Sequence, residues 1–196
     1  MGYDFSKLDG VILQSGGHKT PDQGMCVMEA MAYVMNGDTP FSDDPPCMRQ
    51  MRHRRRWCMV GNDRMQEAQR QRFIPLIPRV MQPCDAEKAN REIRILVLAA
   101  VREFVPMALE AAGQIEIAKE LRALPDTASY KELEQMARKA QRAANAYAAY
   151  AAAATAAYAA DAADAAAYAA YAADAAANSK KDIDFVKLAE KALTYK

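Results

Sequence analysis

The amino-acid sequence predicts an all-α protein. Three observations predict this class: apolar residues recur at helical spacing, no stretch alternates convincingly between apolar and polar residues, and one long tract is mostly alanine. A helix places an apolar side chain on one face every three or four residues, whereas a half-buried strand alternates at every second residue. We expect a compact helical domain over residues 1–125. Residues 126–196 would then form a long Ala-rich helix followed by a short C-terminal amphipathic helix over residues 182–195.

The first helix is expected to begin at a capping box. Thr20 would cap the helix, Pro21 would take the first helical position, and Gln23 would complete the box. Apolar residues then follow at helical spacing: Met25, Val27, Met28, Met31, Ala32 and Met35. Asn36-Gly37 is a typical helix end, so the sequence predicts that this helix stops there.

Further helices are expected between the first helix and residue 125. In order, the pattern predicts helices over residues 47–60, over residues 64–73, from Asp85 to about Gly113 with a kink at Pro106, and over residues 115–124. Pro75 and Pro78 bracket a short segment between the second and third of these helices. Gly61-Asn62-Asp63 is expected to separate the first two of these, and Pro125 to stop the last.

The region after residue 125 is dominated by Ala143–Ala177. Of these 35 residues 25 are alanine, and none is Gly or Pro, so helix propensity is very high. Ser129 and Glu132 form a second capping box at the start of this helix. The larger side chains follow a seven-residue frame and leave an opposite strip of alanine alone, which lets another helix approach closely. We expect the larger side chains of this stretch to pack on the body of this chain, on a second copy of it or on another protein partner. These residues are Tyr147, Tyr150, Tyr158, Asp161, Asp164, Tyr168, Tyr171 and Asp174.

Composition argues against several classes of protein. The formal net charge is +1, so the molecule as a whole is not directed towards nucleic acid or membrane surfaces. No apolar run reaches the roughly 18 residues of a membrane span. The four cysteines are widely spaced and no signal peptide precedes them, which predicts reduced thiols in the cytoplasm. If the protein is phage-encoded, that cytoplasm is the bacterial host's, and the virion is an alternative location.

One segment departs from this charge balance. Residues 47–82 contain nine arginines, no lysine and two acidic residues. Because arginine suits bidentate contacts with phosphate and a tryptophan can stack on a base, this cluster is a candidate nucleic-acid site. The alternative is a helix face that pairs with acidic residues of this chain or of a partner, with the tryptophan in the core. The central residues of the cluster are Arg49, Arg52, Arg54, Arg55, Arg56 and Trp57.

A second candidate site combines His18, Cys26, Glu29 and Cys47. These are zinc-ligand residue types, and Cys26 and Glu29 would share a helix face. A nucleophile–base pair of Cys26 and His18 would instead indicate thiol catalysis. The spacing fits no common zinc module, and no oxyanion-stabilising element is readable. The simpler interpretation is that the cysteines are buried, His18 orders a loop and Glu29 caps a helix or pairs with an arginine. We therefore expect no cofactor, with zinc as the alternative.

Three segments near the start of the chain form a distinctive motif. They read Gly17-His18-x-x-Pro21-Asp22-Gln23-Gly24-Met25-Cys26-Val27-Met28-Glu29-Ala30, then Ala32-Tyr33-Val34, then Ser42-Asp43-x-x-Pro46-Cys47. This motif resembles the opening of a protein family of actinobacteria and bacteriophages. Residues 74–79 and 121–125 are also similar to the family, whose members end in variable Ala-rich tails. Members often have Ser-Asp-His-Pro where this chain has Ser42-Asp43-Asp44-Pro45. No activity is attached to the family, so the resemblance implies a bacterial or phage setting rather than a reaction.

These patterns favour a non-enzymatic interaction protein that self-associates or binds a partner through the Ala/Tyr/Asp helix. In a phage setting it would be a virion component or an inhibitor of a host system. One alternative is a nucleic-acid-binding protein that uses the cluster from Arg49 to Arg72. The other is a metal- or thiol-dependent enzyme centred on His18, Cys26, Glu29 and Cys47.

Overall fold

A computed structural model describes residues 2–35, 40–143 and 184–194, and over these ranges the protein is all-α, as predicted. The helices are α1 (Val27–Tyr33), α2 (Arg52–Arg64), α3 (Glu67–Arg72), α4 (Ile77–Val80), α5 (Ala86–Ala99), α6 (Val105–Ala111), α7 (Ile115–Arg122), α8 (Tyr130–Ala143) and α9 (Phe185–Thr194). In these ranges the only extended pairings are single bridges between Tyr3 and Met35 and between Leu13 and Met25. None of the described helices is both long and apolar enough to cross a membrane.

The contacts divide the chain into two units. The first unit comprises the described residues up to Ala86 together with Asp184–Thr194, and the second comprises the described residues from Glu87 to Ala143. Helix α9 therefore folds back onto the unit that contains α1 to α4, where it packs against α3. This grouping differs from a division after residue 125, since Pro125 lies inside the second unit.

The first unit has a methionine-rich core. Helix α1 packs against α2, and six consecutive α1 residues, from Val27 to Ala32, are buried. The Trp57 ring of α2 meets the Phe185 ring of α9 with 5.6 Å between their centroids. Unbranched methionine side chains fill irregular gaps between such short elements. The buried methionines of this unit are Met25, Met28, Met31, Met35, Met48, Met51, Met65 and Met81.

The predicted start of the first helix is wrong. Residues Pro21–Gln23 form only a 3₁₀ turn, because Gly24 adopts a φ of 106° that no right-handed helix contains. The α-helix begins at Val27 and ends at Tyr33, ahead of the predicted Asn36-Gly37 stop. Its capping box consists of Cys26 and Glu29.

Helix α2 also differs from the prediction at both ends. It starts at Arg52, after a 3₁₀ turn over Pro46–Met48, and it continues through Gly61-Asn62-Asp63 to Arg64. Tertiary hydrogen bonds explain the continuation. The Asn62 amide donates to the Gln14 carbonyl at 3.0 Å and accepts from the Val27 N–H at 3.2 Å. A residue that often ends a helix is thus bonded to two other segments.

The second unit follows the predicted order more closely. Helix α5 passes through a π-helical turn over Ala100–Phe104 into α6, where Pro106 lies in the first turn. Proline has no N–H to donate to the carbonyl four residues earlier, which belongs to Arg102. That carbonyl instead accepts from Arg122 Nη1 at 3.4 Å.

The Ser129–Glu132 capping box at the start of α8 is confirmed. The Glu132 carboxylate accepts from the Ser129 N–H at 2.6 Å, and the Ser129 hydroxyl accepts from the Glu132 N–H at 3.2 Å.

Candidate functional site

Four arginines of the predicted cluster line one cleft, which we call the arginine cleft. Arg52, Arg55 and Arg56 have the i, i+3, i+4 spacing that places them on one side of α2. Arg49 follows the 3₁₀ turn, and Asp44 comes from the Pro-rich turn before it. The cleft encloses about 290 Å³. Its lining therefore carries four positive charges and one negative charge.

Asp44 holds two of the arginines by ion pairs. Its Oδ2 lies 3.5 Å from Arg49 Nε and its Oδ1 lies 3.1 Å from Arg55 Nε. The Arg55 pair is electrostatic only, because the Nε–H is buried and makes no hydrogen bond within the described residues. Arg52 is exposed. The cleft thus keeps donor capacity that Asp44 does not use.

The arginine cleft lies at the N-terminal end of α2, where positive charge is unfavourable. The first turn of a helix presents unpaired N–H groups and the positive end of the helix dipole, so acidic residues are favoured there. Helix α2 has no acidic residue in its first turn and no side-chain cap from Met51. The run from Arg52 to Arg56 instead adds more positive charge at this end. Such a conflict between local preference and sequence is typical of a functional site, and an anion would relieve it.

Two members of the predicted cluster are structural rather than available for binding. Arg54 is buried, and its Nη1 donates to the carbonyls of Val80 at 2.9 Å and Gln82 at 2.7 Å. Trp57 is 4% exposed and packs on Phe185. The prediction that Trp57 stacks on a base is therefore wrong, and its alternative role as a core residue is confirmed.

Two arginines further along the segment also bond within this chain. Arg70 donates to the carbonyls of Asn62 at 3.0 Å and Met65 at 2.7 Å, and Arg72 pairs with Asp184 at 3.0 Å. Within the range from Arg49 to Arg72, Arg49, Arg52, Arg55 and Arg56 are the arginines that line the cleft.

The structure brings His18, Cys26 and Glu29 together around the Glu29 carboxylate. Oε1 accepts from the His18 N–H at 2.6 Å, while Oε2 accepts from the Cys26 N–H at 2.7 Å and lies 2.8 Å from His18 Nδ1. The Cys26 sulfur in turn accepts from the Glu29 N–H at 3.4 Å. Glu29 is 1% exposed, so these donors replace water around a buried charge. The interpretation that His18 orders a loop and Glu29 caps a helix matches this arrangement.

The pKa shifts at this cluster follow from burial and hydrogen bonding. Burial would raise the pKa of Glu29, but the bonds from His18 and Cys26 outweigh it, and the pKa lies below its usual value. Burial raises the pKa of Cys26 to about 12, although the hydrogen bond from the Glu29 N–H to the sulfur opposes this shift. The negative charge of the Glu29 carboxylate adds to the increase. A thiolate is the nucleophilic form of cysteine, so this environment opposes thiol catalysis at Cys26.

The fourth residue of the suggested metal set lies apart from these hydrogen bonds. Cys47 belongs to the 3₁₀ turn Pro46–Met48 and is not among the groups that bond to the Glu29 carboxylate. Burial raises the pKa of the Cys47 thiol as well, which disfavours the thiolate that a metal requires. Zinc binding by His18, Cys26, Glu29 and Cys47 stays a prediction.

The interaction residues predicted in the Ala-rich tract lie outside the described residues. These are Tyr147, Tyr150, Tyr158, Asp161, Asp164, Tyr168, Tyr171 and Asp174. No geometry of the described ranges bears on them, and the association surface stays a prediction.

Asp44 is the residue of the cleft that the sequence analysis did not assign to a site. The sequence contains one signal for this role: the first turn of α2 has no acidic residue, and the turn just before the helix contains Asp44.

Comparison with protein families, curated proteins and solved structures found no match to this chain.

Proposed function

We propose that this protein is a non-enzymatic binding protein that holds the phosphate groups of a nucleic acid in the arginine cleft. One observation carries the proposal: Arg49, Arg52, Arg55 and Arg56 converge at the positive end of α2, with Asp44 as the acidic residue of the lining. A guanidinium group presents a planar set of donors that matches two phosphate oxygens at once. The nucleic-acid backbone supplies such groups in series.

The chemistry of the cleft favours contact with the backbone rather than reading of bases. Trp57, the single tryptophan of the chain, and His53 are both buried, so neither ring offers a stacking surface. Contacts to phosphates fix position but carry no sequence information. We therefore expect binding that depends on salt and is tolerant of sequence.

Binding to a fluorescein-labelled DNA duplex of about 20 base pairs, measured by anisotropy at several salt concentrations, tests the proposal. Four arginines and one carboxylate correspond to roughly three neutralised phosphates, so the slope of log K against log salt should be about −3. Reversing Arg49 and Arg52 to Glu should weaken binding at least about tenfold and reduce the slope by about two. Both side chains are exposed, so the fold should tolerate the change.

Arg79→Glu is the matched control because Arg79 does not line the cleft. The double variant reverses two charges and the control reverses one. The single variants Arg49→Glu and Arg52→Glu are therefore each compared with Arg79→Glu as well. The proposal is wrong if the control weakens binding as much as either cleft variant, or if wild-type binding does not change with salt.

Self-association through residues 143–177 is a separate proposal that these observations do not test. It is supported by the unbroken alanine strip in the sequence. Sedimentation velocity of the full chain over a range of concentrations checks it, and a monomer at every concentration would contradict it.

A further inference from the structure

We infer that Asp44 is an internal competitor for the ligand of the arginine cleft. In the free protein its carboxylate occupies the space that a phosphate takes in the complex. The inference rests on the proposed function and adds a determinant of ligand class to it. The cleft would admit an anion only if that anion outcompetes a carboxylate that the chain itself supplies.

The positions of the two carboxylate oxygens support this role. Oδ1 faces Arg55 Nε at 3.1 Å and Oδ2 faces Arg49 Nε at 3.5 Å, so Asp44 bridges two arginines as two oxygens of one phosphate would. The fit is incomplete, because the Arg55 Nε–H forms no hydrogen bond among the described residues. A carboxylate placed this way neutralises charge without satisfying the donors, and a phosphate with more acceptor oxygens can satisfy them.

The side chain of Asp44 can leave the cleft without unfolding its turn. It is 44% exposed, so water can replace the arginines as its partner. The backbone is held separately, since the Asp44 N–H donates to the Ser42 hydroxyl at 2.9 Å and Pro45 follows directly. Proline restricts the residue before it to extended conformations. Displacement therefore requires a side-chain rotation rather than a backbone rearrangement.

This arrangement selects ligands by charge density. A single carboxylate from an acidic peptide exchanges one ion pair for another of the same kind and gains little, because exposed pairs are weak. A nucleic-acid backbone brings several phosphates at once and releases its own counterions. We therefore expect the cleft to prefer nucleic acid over acidic peptides, because a ligand must bind the arginines more strongly than Asp44 does.

Asp44→Asn tests the inference, because it removes the carboxylate charge and keeps the size of the side chain. Asp43→Asn is the matched control: it makes the same change one residue away, at an exposed position that does not line the cleft. With the fluorescein-labelled duplex, Asp44→Asn should bind roughly three- to tenfold more tightly than wild type. The salt slope should steepen by about one, and Asp43→Asn should change affinity less than about twofold.

The outcomes separate this inference from the proposed function. If wild type binds the duplex and Asp44→Asn binds equally or more weakly, Asp44 orders the arginines instead of competing, and the inference is overturned. If neither protein binds, both proposals are overturned. Asp44→Ala provides a second variant whose affinity must rise in the same way, and circular dichroism checks that each variant is folded.

Discussion

Glu29 joins the loop before α1 to the helix itself, because one carboxylate accepts bonds from both His18 and Cys26. A carboxylate near the first turn of a helix is favoured by the N–H groups and the helix dipole. The cost of burying its charge is offset only while these donors remain in place. The residue therefore acts as a structural clamp whose strength depends on its ionisation.

We expect Glu29→Gln to lower the free energy of unfolding at pH 7 by about 2–4 kcal/mol, because charge-assisted hydrogen bonds are lost in a buried site. The pKa of Glu29 is lowered by folding. Its contribution is therefore complete above the unfolded pKa of about 4.3 and is lost as the pH falls through the folded pKa. Urea unfolding between neutral and acidic pH measures both effects.

Glu67→Gln is the control, since Glu67 is exposed on α3 in the same unit. Wild type and this control should lose stability in acid in parallel, while Glu29→Gln should show a flatter dependence. An unchanged pH dependence in Glu29→Gln would show that Glu29 contributes no ionisation-dependent stability.

Helix α2 combines a charged start, a buried middle and an anchored end. Arg52 is exposed, Trp57 and Cys58 are buried, and Asn62 bonds to residues outside the helix. The glycine at position 61 has no positive φ, and a Cβ there would lie 3.7 Å from Phe185 Cδ1, which is ordinary van der Waals contact. Gly61 therefore lowers the helix propensity without serving a conformational need.

Gly61→Ala should raise the free energy of unfolding by about 0.5–1 kcal/mol, because alanine restricts the unfolded chain and fits the helix. Gly24→Ala should do the opposite, since Gly24 has a φ of 106° and an added Cβ would lie 2.6 Å from Gln14 Cδ. Urea midpoints of the two variants measure the difference. Destabilisation by Gly61→Ala would mean that the contact with Phe185 leaves no room for a methyl group.

The core of the first unit includes a helix that is distant in the sequence, α9. Phe185, Val186, Leu188 and Ala189 of α9 are buried, and α9 packs against α3. The amphipathic pattern of this helix is readable from the sequence, but its location is not. An apolar face only requires some apolar partner, and nothing local identifies which.

Phe185→Ala should lower the free energy of unfolding by about 3–5 kcal/mol, because it leaves a cavity beside Trp57. The chain has one tryptophan, so tryptophan emission reports on the surroundings of Trp57, which include Phe185. We expect red-shifted emission from the folded variant, as water reaches the indole. Lys187→Ala, at an exposed position of the same helix, should change neither the emission nor the stability appreciably.

The sequence was sufficient for the fold class, the order of the helices in the described ranges and the Ser129–Glu132 cap, because these depend on local patterns. It misplaced the start of α1, where the positive φ of Gly24 opposes a local capping signal. It also misplaced the end of α2, where Asn62 bonds to distant segments. The arginine cluster could be predicted from the sequence because residues 47–82 contain nine arginines. Which arginines reach solvent depends on distant carbonyls such as that of Val80, and those have no local signature.

The return of α9 to the first unit also has a consequence for the order of events during synthesis. In the sequence, residues 87–183 separate the two pieces of the first unit. The second piece, Asp184–Thr194, is therefore synthesised only after these 97 residues. At translation rates of about 5–20 residues per second, the ribosome needs roughly 5–20 seconds to pass through them. During this interval the indole of Trp57 has no Phe185 to cover it. The core of the first unit therefore lacks the apolar face of α9 for several seconds after residues 1–86 have been synthesised.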